Sequence, residues 1–367
     1  MEHPKDNSRA GNYGERRGEM RYKLLGRTGL RVSELCLGVM TFGEDWGWGA
    51  SKEESRRIFD AFAEAGGNFI DTANYYTGGT SERFVGEFVS SERGRFVIAT
   101  KYTLNMRPDD PNSGGNHRKN MTWSLEESLA RLGTDYIDLY WVHAWDPMTP
   151  VEETMRALDD MVRAGKILYV GISDAPAWFV SRANTLADLM GWSAFAGLQI
   201  PYSLIERTPE RELLPMANAL DIAVTPWGIL GGGVLTGKYR KGKPRPKDAR
   251  YGSQEEWGNI YVTERNLRIA EEIERVAKEI GKSPSQVALA WVRQRPHGVI
   301  VPILGATKLA QLSDNLGCLE FTLSGEQLRR LDEASSIDLG FPLAFLSQVR
   351  QIVYGNTFPL IDDHRQS

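Results

Sequence analysis

Short apolar runs alternate with amphipathic segments along most of this chain. The runs predict strands over 35–38, 68–71, 96–101, 136–143, 167–172, 196–199, 222–226 and 299–301. Between and after them, helical spacing of apolar residues predicts helices over 51–65, 81–89, 119–132, 150–164, 175–190, 209–220, 263–280 and 308–317, with another beginning near 283. Strands that alternate with helices in this way predict an α/β fold, a (β/α)8 TIM barrel.

Residues typical of helix ends support these boundaries. Two pairs match the capping-box pattern, in which a hydroxyl and an acidic or amide side chain three residues later accept hydrogen bonds from backbone N–H groups of the first turn. They are Ser51 with Glu54 and Ser283 with Gln286. Glycines at 66–67 are expected to end the helix that Ser51 begins.

The predicted barrel is one domain over 20–335, opened by an N-terminal β-hairpin over 20–34 and carrying long loops at its C-terminal face. Residues 1–19 are polar and are expected to form a flexible tail. The C-terminal tail, 336–367, is expected to pack on the barrel through the apolar side chains of Phe341, Leu343, Phe345 and Leu346.

A pair of doubly wound dinucleotide-binding halves is the alternative fold. That fold requires the spacing GxGxxG between the first strand and its helix. The first strand leads instead into GVMTFG, at 38–43, where the glycines are wrongly spaced. The pattern therefore favours the barrel.

Composition excludes several functions. The 367 residues carry a net charge of −4, which argues against nucleic acid as a partner. No apolar stretch is long enough to span a membrane. The two cysteines do not imply a disulfide framework, and the five histidines form no metal-binding spacing, so no metal site is expected. A cytoplasmic location is the simplest expectation, and the sequence does not indicate an oligomeric state.

Four polar residues stand at or just after the ends of apolar runs: Asp71, Tyr76, Lys101 and His143. The C-terminal ends of the strands of a parallel barrel are where its reactive groups gather. An ammonium beside a phenol favours the phenolate, so Lys101 is expected to lower the pKa of Tyr76, with Asp71 tempering that effect. The four residues predict a catalytic site in which Tyr76 gives a proton to a carbonyl oxygen.

Seven segments resemble the aldo-keto reductase superfamily, in order and each after a predicted strand: DTANYYTGGTSE (71–82), ATKY (99–102), LYWVHAWD (139–146), GISD (171–174), LQIPYSL (198–204), GGGVLTGKY (231–239) and PILGATKLAQLSDN (302–315). The resemblance implies reduction of aldehydes and ketones with NADP(H), without metal. It assigns Tyr76 as the general acid, Lys101 and Asp71 as the pair that tunes it, and His143 as the residue that orients the carbonyl.

The same resemblance implies a cofactor site along the C-terminal face. Ser173, Asp174 and Gln199 would hold the carboxamide, Trp227 would stack on the nicotinamide, and Lys238 would meet the pyrophosphate. The other implied cofactor residues are Gly38, Val39, Met40, Asp71, Gly228, Leu230, Gly232, Gly305, Thr307, Lys308, Gln311, Asp314 and Asn315. Trp46 and Trp48, which follow the first strand in a glycine-rich loop, are expected to line the substrate mouth with Tyr76 and His143.

Three positions depart from the family pattern. Many relatives place arginine where Thr307 stands, so the 2′-phosphate would rely on Lys308. Asp174 stands where asparagine is commoner, and Thr77 where glycine usually follows the catalytic tyrosine. Two alternative functions stay open: a nucleotide-sensing protein like the auxiliary subunits of potassium channels, with little turnover, and an NAD-linked sugar or alcohol dehydrogenase. The channel-associated relatives tend to carry asparagine where this chain has His143.

Overall fold

The computed structural model describes residues 18–239, 242 and 260–362. The predicted flexible tail therefore lies almost wholly outside the described residues, as does much of the predicted loop over 228–260. Within the described residues, the strands are β1 (Tyr22–Leu24), β2 (Arg31–Ser33), β3 (Cys36–Gly38), β4 (Phe69–Asp71), β5 (Val97–Tyr102), β6 (Ile137–Val142), β7 (Ile167–Ser173), β8 (Phe195–Pro201), β9 (Ala223–Trp227) and β10 (Ile303–Gly305).

The predicted barrel and hairpin are both confirmed. Strands β1 and β2 pair antiparallel, and the other eight described strands form one parallel sheet in the order β10-β3-β4-β5-β6-β7-β8-β9. Sequential strands are therefore neighbours throughout, and the site residues at their C-terminal ends meet at one face of the barrel.

Alternate side chains on each strand face the barrel interior. On β5, Val97 and Ala99 pack inside, whereas Ile98 packs outward against the helices. The Trp141 ring fills the interior where Gly171 and Gly197 leave room: a Cβ at either position would lie 2.3 Å or 2.7 Å from that ring. Above this packed layer, Lys101 is the next side chain of β5 with the same facing, which directs it toward the C-terminal mouth.

The last strand lies later than the sequence predicted, at 303–305 instead of 299–301. Pro302 divides the apolar run because it has no backbone N–H to donate. Before it, the Val301 N–H donates to the Val224 carbonyl at 2.8 Å, and after it Ile303 pairs with Cys36 of β3. The two halves of the run thus join β9 to β3 and close the barrel.

The described α-helices are α1 (Lys52–Glu64), α2 (Thr80–Val89), α3 (Arg118–Leu132), α4 (Val151–Arg163), α5 (Ala177–Met190), α6 (Leu213–Ala219), α7 (Glu264–Ile280), α8 (Pro284–Arg293), α9 (Leu309–Leu316), α10 (Gly325–Ala334) and α11 (Leu343–Tyr354). The capping box at Ser283 and Gln286 is present. At Ser51 the capping box is incomplete. The Ser51 hydroxyl accepts from the Glu54 N–H, but the Glu54 carboxylate accepts from the Leu309 N–H at 2.6 Å instead of from the Ser51 N–H.

The C-terminal tail differs from expectation. Three of its four expected anchors are exposed to solvent, Phe341 by 85%, Phe345 by 51% and Leu346 by 52%, whereas Leu343 is partly buried. Helix α11, which lies within the tail, has no buried residue. A polar contact holds the start of the tail, where the Arg211 guanidinium donates to the Asp338 carbonyl at 2.8 Å. Among the helices of the described residues, none has the length and apolar character to cross a membrane.

Candidate active site

The structure brings together the four residues predicted to be catalytic. Asp71 ends β4, Lys101 lies near the end of β5, and His143 follows β6, so three neighbouring strands contribute one residue each. Tyr76 stands in the turn between β4 and α2, and its ring centroid lies 5.7 Å from that of His143. Their meeting follows from the parallel register, which pairs Asp71 with Ala99 and Lys101 with Trp141.

Lys101 connects Asp71 and Tyr76 through hydrogen bonds. Its fully buried ammonium donates to the Asp71 carboxylate at 2.5 Å, to the Thr72 carbonyl at 2.8 Å and to the Tyr76 hydroxyl at 3.1 Å. Three acceptors match the three donors of an ammonium group, so the buried charge is fully satisfied. The second oxygen of Asp71 accepts from the Gln199 amide at 3.0 Å.

Thr77 shapes the turn that presents Tyr76. It has a left-handed backbone, with φ of 47°, in which a β-branched residue is normally unfavourable. Its hydroxyl compensates by donating to the Phe42 carbonyl at 2.8 Å and accepting from the Ser81 N–H at 3.1 Å. The threonine thus keeps the conformation that glycine usually supplies and ties the turn to helix α2 and to the loop after β3.

The pKa of Tyr76 is raised, contrary to the expectation from the sequence. Burial is the largest cause, and the charges of Asp71 and Asp174 add to it, whereas the neighbouring Lys101 ammonium opposes it. For Lys101, burial lowers the pKa, but Asp71 and Tyr76 together outweigh it and leave the pKa raised. At neutral pH the phenol therefore stays protonated beside a charged ammonium, which is the form that a proton donor needs.

His143 is held as a neutral imidazole. Burial, together with the Lys101 charge, brings its pKa well below the usual value of 6.5. Its backbone N–H donates to the Thr103 hydroxyl at 3.2 Å, and its Nδ1 is buried without a partner among the described residues. A neutral ring at this position can offer one N–H to an oxygen that enters the mouth.

The residues that are expected to bind the nicotinamide and its carboxamide lie at the C-terminal ends of β7, β8 and β9. The Trp227 indole N–H donates to the Asp174 carboxylate at 3.3 Å, and both side chains are exposed at the mouth. Ser173 is buried beside them. Gln199, by contrast, is directed to Asp71, so in this structure it supports the catalytic pair.

A glycine-rich turn follows β9. Gly228, Gly231, Gly232 and Gly233 all have positive φ, a conformation that glycine adopts readily; Gly228 is exposed, Gly232 and Gly233 are partly exposed, and Gly231 is buried. Lys238 lies over this turn: a Cβ added at Gly233 would come within 2.6 Å of its Nζ. Leu230, just before the turn, is partly buried against the core. Backbone amides and an ammonium in one place suit a phosphate group.

The residues expected to bind the adenosine end surround the start of α9, just after β10. Gly305 and Lys308 are exposed, and the Thr307 N–H donates to the Gln311 side chain at 2.9 Å. Asp314 accepts from the Ser283 hydroxyl at 2.8 Å, which engages its carboxylate with the capping box of α8. Buried Asn315 follows it on the same helix.

The last residue of β3, Gly38, and the two that follow it are less open than expected. A Cβ at Gly38 would lie 2.4 Å from the Ile303 side chain. Val39 is fully buried, and its N–H donates to the Asp71 carbonyl at 2.9 Å. Met40 is partly exposed and is the one of the three whose side chain can meet a ligand.

An aromatic wall stands beside Tyr76. The Trp46 ring lies 6.5 Å from Tyr76, 5.7 Å from Trp48 and 6.0 Å from Tyr75, and both Trp46 and Tyr75 are exposed. The two tryptophans were predicted from the sequence, whereas Tyr75 was not, although it directly precedes Tyr76.

A second aromatic pair was also missed. Trp145, two residues after His143, contacts the exposed Trp178 with ring centroids 5.8 Å apart. A single aromatic residue gives little indication of a site in a sequence until the fold brings it beside another.

Among the described residues, no group of three or more histidine, cysteine or acidic side chains could hold a metal ion.

Comparison with known proteins agrees with this geometry. The chain is 38% identical over 329 residues to norsolorinic acid reductase of Aspergillus flavus, covering 87% of this chain and 81% of that protein. It is 36% identical to a putative aryl-alcohol dehydrogenase of Saccharomyces cerevisiae, covering 89% of each. An NADP(+) aryl-alcohol dehydrogenase of Phanerodontia chrysosporium is 37% identical, with 86% of this chain and 85% of that protein covered. The model of the aldo/keto reductase family matches residues 34–336, and the chain therefore belongs to that family of carbonyl and alcohol oxidoreductases.

Proposed function

We propose that this protein reduces aldehydes and ketones, aromatic ones above all, with NADPH. The observation that carries the proposal is the hydrogen-bonded chain from Tyr76 through Lys101 to Asp71, with His143 facing the phenol. A bound NADPH would supply the hydride. The residues of this chain then have to orient the carbonyl, polarise it and deliver one proton.

Tyr76 delivers the proton. As negative charge develops on the carbonyl oxygen, the phenol donates to it, because an alkoxide is far more basic than a phenolate. The buried Lys101 ammonium, 3.1 Å from the hydroxyl, stabilises the phenolate that remains. Neutral His143 donates a second hydrogen bond to the same oxygen and fixes its position.

The mouth offers fitting groups for an extended dinucleotide. Trp227 presents an exposed ring, the glycine turn with Lys238 provides a phosphate cradle, and Lys308 offers a cation for a 2′-phosphate. Loops after the last two strands of a barrel are common phosphate sites. The N-terminus of α9 contributes less to phosphate binding, since the Glu54 carboxylate already accepts a hydrogen bond from the first N–H of that helix. Preference for NADPH therefore rests on Lys308.

The aromatic wall of Trp46, Trp48 and Tyr75 supports an aryl substrate, because ring–ring contacts add to apolar burial. The aryl-alcohol dehydrogenases among the relatives agree with this choice.

A carbonyl panel tests the proposal. NADPH consumption is followed at fixed protein concentration with 4-nitrobenzaldehyde, benzaldehyde and butanal, and Trp46→Ala serves as the comparison variant. We expect the aryl aldehydes to be turned over best and the variant to lose that preference. Tight NADPH binding without turnover of any carbonyl would favour a nucleotide-sensing protein instead.

A further inference from the structure

Asp174 places a carboxylate at the mouth in an unusual backbone conformation. Its φ is 46°, a left-handed geometry that turns the chain sharply at the end of β7. Its backbone N–H donates to the Gln199 carbonyl at 3.1 Å and its carbonyl accepts from the Trp145 N–H at 3.3 Å, so the turn is held from two sides. The Trp227 indole fixes the carboxylate itself at 3.3 Å.

The surroundings of this carboxyl make its charge adjustable. Although this side chain is exposed at the mouth, the neighbouring protein displaces part of its surrounding water, and this desolvation raises its pKa to about 6; hydrogen bonds from Trp227 and Ser173 and the charge of Lys101 oppose the shift. Asp174 also acts electrostatically on Tyr76, because its charge raises the pKa of that phenol. Among the acidic side chains that the structure describes at the mouth, Asp174 is the one whose pKa is raised to about 6.

We propose that Asp174 decides which redox form of the cofactor the protein holds more tightly. The inference rests on the proposed function, in which Asp174 faces the carboxamide. The nicotinamide ring is a cation when oxidised and neutral when reduced, so a nearby carboxylate stabilises only the oxidised form. The reaction governed is alcohol + NADP+ ⇌ carbonyl + NADPH + H+, in which the alcohol carbon loses a hydride and its hydroxyl proton leaves through Tyr76.

The sign of the pH dependence follows. Above about pH 6, where Asp174 is ionised, NADP+ gains affinity relative to NADPH; below it, that advantage disappears. The 2′-phosphate also titrates near pH ~6, but it is common to both forms and cancels in their ratio. Burial and the Lys101 charge lower the pKa of His143 well below the usual 6.5, which favours its neutral form.

Fluorescence titration of the whole protein with NADP+ and with NADPH, between roughly pH 5 and pH 8, tests this inference. We expect the ratio of their affinities to move toward NADP+ by about tenfold as the pH rises, an effect of about 1.4 kcal/mol. In Asp174→Asn, which keeps an acceptor for Trp227, the ratio should stay flat at the low-pH value. Asp221→Asn is the matched control, because Asp221 has a similar φ of 50° and is expected to follow the wild type.

The outcomes separate the two proposals. A flat ratio in the wild type, or an equal slope in Asp174→Asn, overturns the role of Asp174 while both forms still bind. If neither form binds, the proposed function falls together with this inference.

Discussion

Replacing Lys101 with methionine should destabilise the fold as well as slow the reaction. The substitution keeps most of the length of the side chain but removes the charge that satisfies Asp71, whose side chain is almost fully buried. Of the hydrogen bonds to that carboxylate among the described residues, the one from the Gln199 amide, at 3.0 Å, then remains. Leaving one partner of a buried ion pair uncompensated costs roughly 3–5 kcal/mol, so we expect a loss of that size in the free energy of unfolding.

A double-mutant cycle isolates the cause. Asp71→Asn removes the orphaned charge, so the double variant should be more stable than the sum of the single losses predicts, by about 2 kcal/mol or more. Urea unfolding followed by tryptophan fluorescence at about pH 7 measures each variant. Because the pKa of Lys101 is raised, the contribution of the pair is complete below the unfolded lysine pKa of ~10.4 and is lost only as the pH rises through the higher folded value. A loss below about 1 kcal/mol in Lys101→Met, or strictly additive losses, would refute the reasoning.

Three further predictions follow from the same structure. Gly171→Ala should destabilise the protein by about 1–3 kcal/mol, because its Cβ would meet the Trp141 ring at 2.3 Å, whereas Gly94→Ala meets nothing within 4 Å and should be near neutral in the same unfolding assay. The imidazole of His143 should remain neutral at about pH 6 by nitrogen NMR, and a titration midpoint near the ordinary ~6.5 would contradict the burial argument. Lys308→Ala should narrow the preference for NADPH over NADH by ~1–3 kcal/mol in fluorescence titrations, and equal affinity for both cofactors in the wild type would reject the preference itself.

The barrel and the catalytic cluster could be predicted from the sequence because both follow from periodicity. Strand ends align in a parallel sheet, so Asp71, Lys101 and His143 had to meet once the strands were located. The error at the last strand came from Pro302, whose missing N–H splits one apolar run between two partners. Helix α10 was missed although Ser324 and Gln327 form the same capping box that identified α8.

Other features depended on quantities that a sequence does not contain. The direction of the Tyr76 pKa is a balance between burial and the Lys101 charge, and the depth of burial is known only in the fold. The hydrogen bond from Gln199 to Asp71 joins residues that are 128 positions apart in the sequence. The exposure of Phe341 and Phe345 likewise could not be anticipated, because apolar composition alone does not say which side chains find a partner.

The central claim is that Tyr76 donates the proton while other residues hold the cofactor. Tyr76→Phe removes one hydroxyl and leaves Trp227, the glycine turn and Lys308 in place, so a single comparison of turnover and NADPH binding tests the claim most directly. We predict that reduction of 4-nitrobenzaldehyde falls by about three orders of magnitude or more, at the upper end of general-acid effects, while the affinity for NADPH changes by less than about twofold, the precision such comparisons allow. Near wild-type turnover in this variant would contradict the account.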